Sequence, residues 1–145
     1  MWKHEHVEIT TATAPQLWSH YADPANWPEW DHEVSAVTID GPMVTGAKGT
    51  LKPAKGPTMR ITFTEVTPEV GFTDVSRLPL GLATLTFDHR ITPTPTGCQF
   101  VHRVGITGPL SPLLTRAIGT GIATEMPRAM RSLAALAEAG ASAVR

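Results

Sequence analysis

The chain carries six histidines, and two of them, His89 and His102, fall where proton chemistry is feasible. Each interrupts an alternating apolar run: Leu85, Phe87, His89 and Ile91 in one segment, Phe100, His102, Val104 and Ile106 in the next. Such alternation marks half-buried β-strands. Placing both apolar sets on one sheet face requires opposed residue numbers with an odd sum. The connection Thr94-Pro95-Thr96-Gly97 suits a type I turn, with proline second and glycine fourth. Pro95 cannot take the positive φ of a type I′ turn. That register opposes Phe87 to Val104, Ile91 to Phe100 and His89 to His102. The two imidazoles would share the inner face, with Cβ atoms roughly 4.5–5.5 Å apart. Burial and mutual repulsion both disfavour charge there. At least one ring is therefore expected to be neutral near pH 7, able to accept a hydrogen bond or move a proton. The pair reads equally as a polar anchor inside an apolar pocket or as a structural pair satisfied by neighbouring hydroxyls.

Other chemically able residues carry weaker signals. Glu125 sits near the edge of a helical apolar stripe. Turned inward it could serve as a general base; the expectation is that a kink at Pro127 turns it to solvent. His4-x-His6 has a metal-ligand spacing, but it is expected on the solvent face of an opening strand. The inner histidine pair falls one short of the three protein ligands of a catalytic zinc. No metal is assigned. Cys98 lies at a hairpin end with no evident base and is not a candidate nucleophile. No glycine loop opens a helix to cradle phosphate, no Gly-x-Ser-x-Gly elbow is present, and no cofactor is expected.

The elements that position these residues follow from the same patterns. Lys3 to Thr11 alternates, with Val7 and Ile9 expected on the buried face. A short helix begins near Ala14, capped by Thr13 and opened by Pro15. A second helical turn spans Asp23 to Trp27 and ends at Pro28. Trp18 and Trp27 are expected to pack these helices onto the sheet. Trp30, just beyond, is placed at a cavity mouth as a ligand contact. Short strands then run from Val34 to Ile106, separated by proline and glycine turns, which favours an antiparallel meander. Met59, Ile61 and Phe63 form the apolar side of one of them. From about Leu110 to about Ala139 the period becomes helical, with Ile118, Ile122, Met126, Ala129, Leu133 and Leu136 in one stripe. Pro127 is expected to kink this helix near Ala123 and Met126.

The 145 residues suit one domain, and 12 basic residues nearly balance 13 acidic ones. That balance argues against a nucleic-acid partner. No apolar run approaches the roughly 20 residues needed to span a bilayer, so no integral membrane role is expected. The polar N-terminus does not look like a signal peptide, and the single cysteine fits a reducing compartment. A cytoplasmic location is expected. Nothing fixes the oligomeric state.

In order along the chain, Ala14-Pro15-Gln16-Leu17-Trp18, Asp23-Pro24-Ala25-Asn26-Trp27-Pro28-Glu29-Trp30, Gly46-Ala47-Lys48-Gly49, Thr64-Glu65-Val66-Thr67-Pro68, Phe87-Asp88-His89 and the segment from Gly97 to Val104 resemble the SRPBCC family of the START-like superfamily. The resemblance is to its polyketide cyclase/dehydratase and lipid-transport branches. It covers almost the whole chain and implies an α+β helix-grip fold over residues 1–145. A seven-stranded curved antiparallel sheet would grip the long C-terminal helix, with two short helices after strand 1. It also implies an apolar cavity between sheet and helix. The expected lining comprises Met59, Ile61, Phe63 and Leu85 together with Phe87, Phe100, Ile118, Ile122 and Met126, with His89, His102 and Trp30 as its polar-bearing members. Phe63, Phe87, Phe100, Ile118, Ile122 and Met126 should converge on one space. Three functions stay open: binding a lipid, polyketide or other aromatic compound; a cyclase/dehydratase-type enzyme moving protons through His89, His102 and Glu125; and a regulatory or partner-binding module whose cavity is vestigial.

Overall fold

This computed structural model describes residues 1–143. The alternating segments form seven strands: β1 (Trp2–Thr10), β2 (Val34–Ile39), β3 (Lys48–Pro53), β4 (Met59–Thr67), β5 (Gly71–Arg77), β6 (Thr84–Thr94) and β7 (Gly97–Thr107). All pair antiparallel, in the order β1-β7-β6-β5-β4-β3-β2. β2 to β7 make the expected meander, and β1 returns to lie beside β7. The β6–β7 register opposes His89 to His102, Phe87 to Val104 and Ile91 to Phe100, as the turn chemistry predicts. Gly97 at this turn is pressed against β1, so that a Cβ there would collide with the Thr10 carbonyl oxygen. Only glycine permits that approach.

The alternation of β1 is as expected, but its faces are exchanged. Val7 and Ile9 point outward, at 45% and 75% exposure, while His4, His6 and Glu8 are half-buried. Register is the cause. β1 opposes His6 to His102, His4 to Val104 and Glu8 to Phe100, and directly opposed residues share a face. The polar set of β1 therefore joins the inner face.

Thr13 caps α1 (Ala14–Tyr21) through a reciprocal box. Gln16 N–H donates to Thr13 Oγ1 at 3.3 Å, and Thr13 N–H donates to Gln16 Oε1 at 2.8 Å. A 3₁₀ turn (Pro24–Glu29) follows and runs through Pro28 rather than stopping there. The C-terminal helical run comprises α2 (Ser111–Leu114), a π-turn (Thr115–Gly119) and α3 (Thr120–Ala143). Pro127 is carried inside α3. The departure from α geometry comes earlier than expected, at the π-turn, where Gly119 lies against the Trp2 indole; a Cβ there would be 3.5 Å from two ring carbons. A π-turn adds a residue to one turn and rotates the inward stripe. This is why Gly119 is buried while Ile118 is 37% exposed, against the expectation that Ile118 faces inward.

The sheet and α3 close over one core. Leu17, Tyr21, Phe63, Phe72, Phe100, Met130 and Leu133 are wholly buried, and Ile61, Leu85 and Met126 nearly so. Each large side chain buried here contributes about 1.5–3 kcal/mol relative to exposure.

Candidate functional site

The polar groups of the concave face gather most densely along one rung. There His6, His102, His89 and Phe72 stand side by side across β1, β7, β6 and β5. The His89 and His102 rings meet edge to face with centroids 4.5 Å apart. His89 stacks on Phe72 at 4.0 Å, and its Nδ1 lies 3.4 Å from the Phe72 carbonyl oxygen. His102 Nε2 is 2.6 Å from the Tyr21 hydroxyl. Burial pushes the His89 imidazole down to about 4, and it holds His102 well below the ordinary histidine range, with the neighbouring His89 acting in the same direction. Both rings are neutral near pH 7. Tyr21 is also pushed up by burial, so the contact joins a neutral phenol to a neutral imidazole.

Tyr21 reaches the rung because α1 buries the face carrying Leu17 and Tyr21, four residues apart. Its ring also touches Trp30, Phe72 and His89. Tyr21 is the chain's single tyrosine, and its helical spacing from Leu17 is the signal that could have flagged it. Trp30 was expected at a mouth. It is instead 3% exposed, with its ring against Tyr21, Trp27 and His102. Trp27 Nε1 donates to the Tyr21 carbonyl oxygen at 3.1 Å. Trp30 Nε1, equally buried, has no acceptor. Trp18 and Trp27 pack as expected, both against Phe72.

The next rung places Phe63, Asp74, Phe87 and Val104 side by side. Asp74 is 4% exposed, and burial followed by the nearby Asp31 charge raises its carboxyl to about 8. Asp31 is itself pushed up to about 6, chiefly by burial. Asp74 was not anticipated, although its parity with Phe72 in β5 places it on the inner face.

Of the remaining expected lining residues, Phe63, Phe100, Met126 and Ile61 belong to one buried cluster, with Phe87 and Ile122 half-buried against it. Leu85 is buried farther along β6, and Met59 is half-buried at the start of β4. Ile118 does not join them. These side chains touch one another around the core. Two surface depressions lie elsewhere. One of about 540 Å³ is on the convex side over Lys3, Glu5, Asp88 and Arg103; one of about 460 Å³ lies beside Ile9, Thr94 and Glu138.

His4 stacks on Trp2, and His6 Nε2 lies 2.9 Å from Glu8 Oε1. Both thus face inward, contrary to expectation. Among the described residues no group of three or more His, Cys, Asp or Glu side chains is placed to hold a metal ion. Glu125 is half-buried, 3.6 Å from Arg128, and its charge acts on the Asp31 carboxyl. Cys98 is wholly buried, and burial raises its thiol, which leaves it unreactive. Among the described residues no helix is long and apolar enough to cross a membrane.

An antiparallel sheet curled around a long C-terminal helix, with two short helices after its first strand, defines the helix-grip class. The chain belongs to the family described as polyketide cyclase / dehydrase and lipid transport, whose model matches residues 1–138. No curated protein matches the sequence. Among solved structures, the chain is similar to protein MLL2253 from Mesorhizobium loti, at 18% identity and TM-score 0.74, over 94% of this chain and 97% of that one. It is similar to the di-domain ARO/CYC StfQ from the steffimycin biosynthetic pathway, at 16% identity and TM-score 0.77, over 97% of this chain and 51% of that one. It is also similar to Ara h 8.0201, at 9% identity and TM-score 0.72, over 95% of this chain and 98% of that one. At these identities the likeness is one of fold.

Proposed function

We propose that this protein binds a hydrophobic small molecule, a lipid, polyketide or other aromatic compound, between the concave sheet face and α3. The observation that carries this reading is the unsatisfied Trp30 N–H beside the Tyr21–His102–His89 cluster, set within an apolar core. A buried donor without a partner costs about 1–3 kcal/mol, and a ligand acceptor offsets that cost. An apolar site with few convergent polar groups has the composition of a small-molecule pocket. Because the lining side chains touch one another, the ligand is admitted by movement of the half-buried Phe87 and Ile122. Membership of a family that includes cyclases and lipid-transport proteins agrees with this reading.

Nile red, a neutral environment-sensitive dye, tests it. The native protein should bind the dye and release it to a polycyclic competitor. Ile122→Trp should block binding while thermal unfolding stays cooperative. Dye binding that survives Ile122→Trp and tracks unfolding instead would contradict the proposal.

One observation favours a second reading, a cyclase/dehydratase-type enzyme. His102 Nε2 lies 2.6 Å from the Tyr21 hydroxyl, a geometry suited to passing a proton. This reading expects a bound polycyclic ketone to exchange its α-hydrogens in D₂O faster than in buffer, and to lose that acceleration in His102→Phe. Exchange at the buffer rate leaves binding alone.

A further inference from the structure

Asp74 is the one acidic side chain in the Phe63–Asp74–Phe87–Val104 rung, and it is 4% exposed. Its environment contains burial and a second carboxyl, Asp31, but no hydrogen-bond donor that favours its charged form. Asp31 is better served, since its Oδ1 accepts the Glu33 N–H at 3.0 Å. No cation lies inside to balance either group. Every lysine and arginine among the described residues is exposed except Arg90. Arg90 is half-buried on the convex face, bonded to Glu65 and Asp88. His89, the inward histidine nearest Asp74, and His102 beyond it are neutral, and His4 ends the same rung on β1, three strands from Asp74. The walls are aromatic: Phe63 and Phe87 flank Asp74 on the rung, with Phe72 two residues away on the same strand face. Beside His102 on the neighbouring rung, the buried Trp30 N–H also lacks a protein partner, a second unpartnered polar group on the inner side.

A buried carboxyl without a donor, aromatic faces and no internal cation together make a site for positive charge. Ammonium groups are drawn to aromatic faces and form strong charge-assisted bonds to carboxylates. The same surroundings repel an anion. Resting on the small-molecule reading above, we infer that the ligand is an apolar amine whose ammonium group bonds to Asp74. Fatty acids and other carboxylates should bind more weakly than such an amine.

The test uses three compounds with one ring system: 2-naphthylmethylamine, 2-naphthalenemethanol and 2-naphthoic acid. Their affinities are read by Nile red displacement on the whole chain. The amine should bind about tenfold tighter than the alcohol, the effect of one charge-assisted bond, and the acid should bind most weakly. Asp74→Asn, which keeps the shape of the side chain, should bring the amine down to the alcohol. Calorimetry of the unaltered protein at pH 7 in phosphate and in Tris gives an answer that needs no variant: amine binding should release protons as Asp74 ionises, and alcohol binding should release none. Alcohol binding with no amine preference, a preference retained in Asp74→Asn, or no proton release overturns this inference and leaves the apolar-site reading standing. Failure of all three compounds to bind overturns both.

Discussion

At the scale of single residues, Tyr21 and His102 depend on each other. Each is wholly or almost wholly buried, and their 2.6 Å contact satisfies both polar atoms. Removing one partner strands the other, which costs about 1–3 kcal/mol. Tyr21→Phe should therefore lower unfolding stability by that amount in urea titration. His102→Phe adds an apolar ring where Phe100 and Val104 already face inward; it should keep the fold and weaken ligands bearing a hydroxyl or carbonyl more than hydrocarbons. An unchanged urea midpoint for Tyr21→Phe would mean the contact contributes nothing. The histidine pair was legible because turn chemistry and alternation together leave one register. Tyr21 was not, because its partner lies 81 positions away and no local pattern joins a helix residue to a particular strand. Trp30 looked peripheral from its place after the 3₁₀ turn; packing against Tyr21 and His102 buries it.

At the scale of elements, α1 matters because it delivers Tyr21. Its N-terminal cap is local and was readable from Thr13 and Pro15; the return bond to Gln16 was not drawn from the sequence. Thr13→Ala removes the side-chain acceptor for the Gln16 N–H and should cost about 1 kcal/mol, visible as a lower denaturant midpoint with unchanged slope. The same variant should broaden the His102 ring resonances, since α1 then holds Tyr21 less firmly. A variant as stable as the parent would show that tertiary packing alone fixes α1. β1 teaches a different lesson. Its alternation is plain, but alternation gives two faces without saying which is inner. Val7 and Ile9 suggested the apolar side, and pairing with β7 decided otherwise. The π-turn at Thr115–Gly119 left no mark that helical periodicity could detect. It sets Gly119 against Trp2, a residue at the far end of the chain.

At the scale of the whole molecule, charge is sorted by face. Glu5, Arg103, Asp88, Arg90 and Glu65 form a chain of ion pairs across the convex side, while the concave side holds the neutral His89 and His102 rings and the raised Asp74 carboxyl. This sorting sets the pH dependence of folding. His89 is lowered to about 4, so between about pH 6.5 and 4 the unfolded chain binds a proton that the native state refuses. Stability from this group falls as pH falls. Asp74 is raised to about 8, so between about pH 4 and 8 the native state holds a proton that the unfolded chain has lost. Stability from this group falls as pH rises. Below pH 6.5 the two oppose one another; above it Asp74 acts without His89. Stability should decline by roughly 2 kcal/mol from pH 6.5 to 8, at about 1.4 kcal/mol per pH unit. Asp74→Asn should flatten that limb, as read from urea midpoints at each pH. The seven strands and their antiparallel meander were readable because each strand announces itself locally, and the helix-grip class because the resemblance runs along almost the whole chain. The interior chemistry was less so, because Asp74, Trp30 and Tyr21 meet only after the sheet curls.

The most direct measurement is the indole ¹H–¹⁵N spectrum of the protein as an apolar ligand with one carbonyl, such as a polycyclic ketone, is added. Four tryptophans give four signals, and Trp30 is assigned with Trp30→Phe. In the free protein the Trp30 N–H lacks an acceptor, so it should resonate upfield of Trp27, whose N–H donates to the Tyr21 carbonyl. Ligand binding should move the Trp30 signal downfield and shift the His89 and His102 rings in step, with one saturation curve for all three. Saturable binding that leaves these three signals in place, and moves only groups on the convex face, would contradict the account.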